Sequence, residues 1–201
     1  LTTEDGYDAE ATFSPVGDRI VFTSARDGDL ELYSMAADGS DVTRLTDRPG
    51  YDGGAFYSPD GSKIIWRAHY PEEGPELEDY RRLLSQGLLR PGELEIYIMD
   101  ADGSNQQQLT QLGGANFAPY WHPSGEKIVF SSNHHDPDGR DFDIYMINLD
   151  GSGLTRITHA EGFDGFPVFS PDGRYLVFGS NRNNGGTSDT NVFIGEWIET
   201  P

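Results

Sequence analysis

One stretch of this chain concentrates side chains able to bind a cation: Asn133-His134-His135-Asp136, followed by Asp138, Asp141 and Asp143. Ca2+ takes six to eight oxygens, and carboxylates alternating around Gly139 can wrap one, so Asp136, Asp138, Asp141 and Asp143 form a candidate Ca2+ loop. The spacing departs from the EF-hand pattern and lacks a closing bidentate Glu; a solvated acidic loop reads from the same residues. Adjacent histidines on an extended strand point to opposite sides. A shared transition metal would therefore need His134 or His135 to join His69 or His159 across a common face. The chain has no cysteine, which excludes disulfides and thiolate chemistry.

What must position these residues is a phrase that returns four times. The turns Ser14-Pro15-Val16-Gly17, Ser58-Pro59-Asp60-Gly61, His122-Pro123-Ser124-Gly125 and Ser170-Pro171-Asp172-Gly173 each follow a short apolar strand and precede a second one. Pro fixes φ in such a turn and Gly accepts a positive one. In the first copy, Ala9 to Phe13, Arg19 to Ser24, Leu30 to Met35 and Val42 to Thr46 read as strands, with Ala37-Asp38-Gly39-Ser40 as a hairpin turn. A repeat of forty-odd residues made only of strands is the signature of a β-propeller with four-stranded antiparallel blades.

The blades divide at about 4–47, 48–112, 113–160 and 161–201, forming a single all-β domain. The fourth copy ends after its third strand, and Leu1-Thr2-Thr3 resembles the tail of an outer strand, as in Arg44-Leu45-Thr46. An unclosed array exposes sheet edges and invites self-association. The second copy carries an insertion at 71–92. Pro75 opens a helix there, acids precede bases as the helix dipole favours, and Tyr80, Leu84 and Leu88 share a face. This helix is expected over the top face, as a lid or docking element or packed on the rim.

The strings FSPDGRYLVFGSNRN, RDGDLELYSMAADGSDVTRLT and FYSPDGSKIIW resemble the repeats of the TolB-type propeller family, a WD40-like or PD40 repeat also found in the propellers of prolyl oligopeptidase relatives. The resemblance covers the chain outside 71–92. It implies part of a larger, typically six-bladed propeller, periplasmic or secreted, that acts as a platform for a protein or peptide partner. It identifies no activity, because propellers host many, and the chain contains no Gly-x-Ser-x-Gly nucleophile elbow.

Strand direction places the Ser-Pro-x-Gly and Asp-Gly-Ser turns on one face, the bottom. The opposite, top face collects Arg26, Arg67, His69, Tyr70, His134, His135, His159, Asn181 and Arg182 as the candidate ligand-binding set. Asp8, Asp52, Asn116 and Asp164 open the four inner strands and read either as a polar ring at the channel mouth or as caps on local backbone amides. With 34 acidic against 14 basic residues, net charge −20, the surface repels nucleic-acid phosphates. No stretch is long and apolar enough to enter a membrane as a helix. The leading expectation is a non-catalytic binding platform that requires no cofactor, with Ca2+ as a possible ligand. The alternatives are a metal-dependent, lyase-like carbohydrate-active propeller, which some His-bearing pectin lyases resemble, and a structural module of a larger protein.

Overall fold

The computed structural model describes residues 1–90, 92–187 and 189–198. Pro91 of the insertion and residues 199–201 of the fourth repeat lie outside the described residues. Blade 1 comprises β1 (Asp8–Phe13), β2 (Arg19–Ser24), β3 (Glu31–Ala36) and β4 (Thr43–Arg44). Blade 2 comprises β5 (Tyr51–Tyr57), β6 (Lys63–His69), β7 (Glu95–Asp100) and β8 (Gln107–Gln108), with α1 (Pro75–Leu84) between β6 and β7. Blade 3 comprises β9 (Asn116–Trp121), β10 (Lys127–Ser132), β11 (Asp143–Asn148) and β12 (Thr155–Arg156). Blade 4 has β13 (Asp164–Phe169), β14 (Tyr175–Ser180) and β15 (Asn191–Glu196), three strands among the described residues.

The turns behave as their residues dictate. Gly17, Gly61, Gly125 and Gly173 sit at φ between 70° and 75°, and each donates its N–H to the carbonyl of the first turn residue at 2.8–2.9 Å. In the three Asp-Gly-Ser turns the Asp carboxylate accepts the Ser N–H at 2.9 Å. The same carboxylates of Asp38, Asp102 and Asp150 are held below the usual carboxylate range, chiefly by the Ser40, Ser104 and Ser152 hydroxyls.

Side chains alternate across each sheet, and both faces are apolar. One face of blade 1 (Val21, Leu32) packs under Ile64, Trp66 and Met99 of blade 2. Ile65, Ile96 and Ile98 of blade 2 pack under Ile128, Phe130 and Tyr145 of blade 3. Val129 and Ile144 of blade 3 pack under Phe169, Leu176 and Phe178 of blade 4. Each fully buried side chain of this size contributes about 1.5–3 kcal/mol. The inner strands lie side by side, β1 on β5, β5 on β9 and β9 on β13, whereas β13 makes no return contact to β1. The four blades form an arc around a central cavity.

Leu1 and Thr2 repeat a blade junction one residue out of the expected register. Leu1 lies against the Gly39 turn as Leu45 lies against the Gly103 turn, and Thr2 stands by Asp8 as Thr46 stands by Asp52. These residues occupy the place of the preceding blade's outer-strand tail and do not pair with β15.

Every inner strand carries a β-bulge two residues after its Asp or Asn (Asp8, Asp52, Asn116, Asp164), at Glu10, Gly54, Ala118 and Phe166, with φ of 55°, 62°, 50° and 56°. Only blade 2 uses glycine, the residue that adopts this conformation without penalty. Replacing Ala118 by Gly should therefore raise stability by up to about 1 kcal/mol, read as a higher urea midpoint with unchanged slope. A lower midpoint would show that the bulge carries no such strain.

Candidate functional site

The top face is built where each second strand ends. Arg26 follows β2, and its Nε donates to Ser24 Oγ at 2.9 Å while its outer nitrogen reaches both Asp8 carboxylate oxygens at 3.3 Å. Its guanidinium lies over the Phe22 and Tyr33 rings. Arg182 repeats this after β14, with Ser180, Asp164, Phe178 and Phe193 in the same places. In blade 2 the equivalent partner of Asp52 is Tyr70, whose hydroxyl donates at 2.6 Å. Blade 3 has His134, bonded to the Leu112 carbonyl, and there the acid is replaced by Asn116, which accepts from Ser132 Oγ at 2.6 Å. The binding-face residues Arg26, Tyr70 and Arg182 and the channel-mouth residues Asp8, Asp52 and Asp164 are thus two halves of one latch within each blade. Asp52, Asn116 and Asp164 are fully buried.

Asn181 and the equivalent Asn133 also serve the scaffold, each accepting a backbone N–H from the segment leading into the inner strand of its own blade: Phe163 to Asn181, Ala115 to Asn133. His159 is exposed. His135 stacks on Tyr145 and bonds its hydroxyl. Its Nε2 lies 3.2 Å from Asp141 and 3.5 Å from Asp143, the one three-residue group of potential metal ligands among the described residues. Asp136 and Asp138 stand outside it, and no second histidine joins. Asp143 is committed to the Arg156 guanidinium and the Thr158 hydroxyl, and Asp141 accepts the Gly162 N–H. Two carboxylates and one imidazole fall short of a Ca2+ shell, and Arg156 already supplies the cation. Added Ca2+ should leave the melting temperature unchanged; a rise of several degrees, reversed by chelator, would place an ion here.

Arg67 and His69 differ, because they face open space. The Arg67 outer nitrogen reaches Glu10 of the neighbouring blade and the Tyr51 hydroxyl, each at 2.5 Å, and Glu10 in turn accepts the Gly54 N–H at 2.8 Å. Burial pushes the Tyr51 hydroxyl up to about 12, so it remains protonated at neutral pH. Arg67 lines two cavities. One, of about 360 Å³, lies under the insertion and is bounded by Tyr51, His69, Tyr80, Leu89, Arg90, Glu93 and Leu94. The other, of about 280 Å³, lies on the propeller axis among the four bulges, with Phe56, Pro119, Tyr120 and Phe166. A third, of about 370 Å³, opens on the bottom face among the Ser-Pro turns; no top-face candidate reaches it.

The insertion roofs the first cavity. Pro75 occupies the first turn of α1. The helix stops at Leu84 because Gly87, at φ 70°, forms a Schellman end, Gly87 N–H to Leu84 and Leu88 N–H to Leu83. Leu88 consequently leaves the expected stripe and is exposed. Tyr80 is the buried helix residue, its hydroxyl set between the Asp29 carboxylate at 2.5 Å and the Gly50 carbonyl. Glu76 meets His69 Nε2 at 3.4 Å, and Asp79 holds Arg90 at 2.7 Å. The sequence placed Tyr80 on the packing face of this helix but did not mark Glu10, Tyr51 or Arg90 as parts of the site. Gly87, a C-terminal stop for the helix, was the one readable signal.

Residues 112–190 match the family model described as PD40, the TolB beta propeller domain. This match over part of the chain stands beside a blade architecture shared with solved TolB structures, so the fold is a β-propeller similar to theirs. An uncharacterized protein of Agrobacterium fabrum is 29% identical over 133 residues, covering 65% of this chain and 41% of that protein. A structure provisionally assigned as TolB from Agrobacterium tumefaciens superposes with a TM-score of 0.70 at 23% identity, over 96% of this chain and 64% of that one. TolB from Acinetobacter baumannii gives a TM-score of 0.72 at 19% identity, over 94% and 41%. The chain thus spans less than two thirds of each of these proteins. The propeller domain of the Trilobed protease from Pyrococcus furiosus, described as having an open velcro topology, gives 0.60 at 15% identity, over 96% and 55%.

Asp52 offers a direct test of the latch. Its Oδ1 accepts from Trp66 Nε1 at 2.5 Å and from Tyr70, while Oδ2 is buried without a hydrogen bond. Burial, reinforced by the nearby Glu31 charge, pushes its carboxyl up. A raised carboxyl stabilises the fold most when protonated, so stability falls as pH climbs from about 4 through neutrality. Asp52→Asn, the residue blade 3 already uses, should abolish that fall and add about 1–3 kcal/mol at neutral pH. Parallel stability-versus-pH curves for the two proteins would refute it.

Proposed function

We propose that this chain is a non-catalytic protein- or peptide-binding platform of the cell envelope or the extracellular space, and that its ligand enters the cavity between α1 and blade 2. The carrying observation is that cavity itself. It is roofed by the one segment that does not repeat and lined by Arg67, His69, Tyr80 and Arg90, none of which stands at that place in another blade. Its two guanidinium cations are already paired, Arg67 with Glu10 and Arg90 with Asp79, and His69 meets Glu76. Such a wall suits a peptide with apolar side chains and a polar backbone better than a free anion, since Tyr51, Leu89 and Leu94 supply the apolar surface. The exported location is supported by the likeness to TolB proteins. No helix among the described residues is long and apolar enough to cross a membrane.

Peptides selected from a display library on the wild-type chain supply the probe. Leu89→Arg combined with Arg90→Glu, both on the exposed rim, should weaken their binding at least about tenfold, while Val16→Arg on the bottom face should not. Selected peptides that bind all three proteins equally, or a library that yields none, would sink the reading.

A further inference from the structure

Two acids meet where blade 1 joins blade 2. Glu31 opens β3, Asp52 lies at the start of β5, and both are fully buried. Each leaves one carboxyl oxygen without a hydrogen bond, Glu31 Oε2 and Asp52 Oδ2. The other two oxygens are engaged: Arg44 donates to Glu31 Oε1 at 2.6 Å, and Trp66 Nε1 and the Tyr70 hydroxyl donate to Asp52 Oδ1. Thr46 stands by both carboxyls. A bare oxygen in a dry site is costly unless something donates to it.

The next junction shows what belongs there. The Asp52 N–H bonds the Leu30 carbonyl and the Asn116 N–H bonds the Leu94 carbonyl, each at 2.9 Å, so Asp52 stands beside Glu31 as Asn116 stands beside Glu95. Asn116 Oδ1 accepts from Ser132, the role that Asp52 Oδ1 fills with Trp66 and Tyr70. Asn116 Nδ2 donates to the Leu94 carbonyl at 2.9 Å, the Gly113 carbonyl at 3.1 Å and Glu95 Oε2 at 3.2 Å. The repeat therefore gives Asp52 Oδ2 a donor's place, walled by acceptors. Charge tells the same story. Where blade 3 joins blade 4, Asp143 and Asp164 are matched by two guanidiniums, Arg156 and Arg182. Glu31 and Asp52 have Arg44 alone, one positive charge short.

We propose that a single proton held between Asp52 and Glu31 makes up the difference, and that this junction is a pH-sensitive clamp between blades 1 and 2. Asp52 Oδ2–H donates to Glu31 Oε2, as the Asn116 amide donates to Glu95. Burial pushes both carboxyls up, and two acids in one dry site cannot both ionise. The surrounding groups favour retention of the proton. Asp29 adds a negative charge from the blade 1 loop, while Tyr70, Tyr80 of α1 and Tyr97 of β7 have hydroxyls pushed up by burial and stay neutral. Besides Arg44 the cation on this side is Arg48, which lies over the Tyr70 ring. A raised carboxyl stabilises the fold fully below about pH 4, and that stabilisation is lost as pH rises through the raised value. Release of the proton then leaves two like charges across the junction.

Infrared spectroscopy at neutral pH reads the proton directly, because ordinary carboxyls are ionised there. The wild-type chain should show the C=O band of one protonated carboxyl. That band should vanish in Asp52→Asn and equally in Glu31→Gln, since either leaves a single acid served by an amide, and it should persist in Asp8→Asn. The Trp66 indole N–H, bonded to Asp52, gives a second readout in 1H–15N spectra. In the wild-type chain it should shift at the same alkaline midpoint at which the band is lost, a check that needs no variant. In Glu31→Gln that midpoint should fall by at least about one pH unit. A wild-type chain without the band, or separate midpoints for band and indole, overturns the proposal. So does a band that survives Glu31→Gln, which would assign the proton to Asp52 alone.

Discussion

Val21, Ile65 and Val129 hold one position in three successive blades, and each is removed from water only because the next blade lays its own large side chains over it. This packing of an aliphatic face under an aromatic-rich one is the interaction on which the rest depends. A sheet of three or four strands that is apolar on both sides cannot bury itself; it needs neighbours on both flanks. The arc, the central cavity and the clustering of loops on two faces all follow from stacking such sheets side by side. So does the contrast between a buried Leu32 and an exposed Val192 in equivalent strands.

The acidic composition finds its place within this stack. Some carboxylates make turns, as Asp38, Asp102 and Asp150 do with the serines beside them. Others are buried or half-buried and answered: Asp8 and Asp164 by arginines from their own blades, Glu31 and Asp143 by Arg44 and Arg156 from the outer strands. Removing one partner of such a pair leaves an uncompensated buried charge. Blade 3 shows the accommodation when the arginine is absent. His134 takes its place, bonded to the Leu112 carbonyl, and the acid becomes the amide Asn116.

Much of the fold was legible because its signals are local. Pro and Gly at fixed offsets set the turns, and β-branched and aromatic runs set the strands, so β2 spans Arg19–Ser24 as the pattern places it. The site was far less legible, because its contacts join residues distant in the chain. Arg67 with Glu10 and Tyr80 with Asp29 cross from one blade to the next, and no spacing rule announces them. Arg26 and Asp8 were each visible as polar residues on one face; that they bind each other depends on where β1 and β2 begin and end. The helix stripe failed at Leu88 for a local reason, since Gly87 reverses the chain first.

The insertion between β6 and β7 leaves the sheet untouched. Ala68 stands opposite Glu95 across it just as Ser24 stands opposite Glu31 across the short loop of blade 1. Lengthening a loop from residues 25–30 to the span of residues 69–94 amounts to two doublings, which costs about 1.2 kcal/mol of closure entropy. One buried tyrosine side chain of the size of Tyr80 offsets that. A propeller of this kind can therefore gain or exchange a top-face appendage almost neutrally, and blade-to-blade diversity at this loop is a cheap evolutionary variable while the sheets beneath it stay fixed.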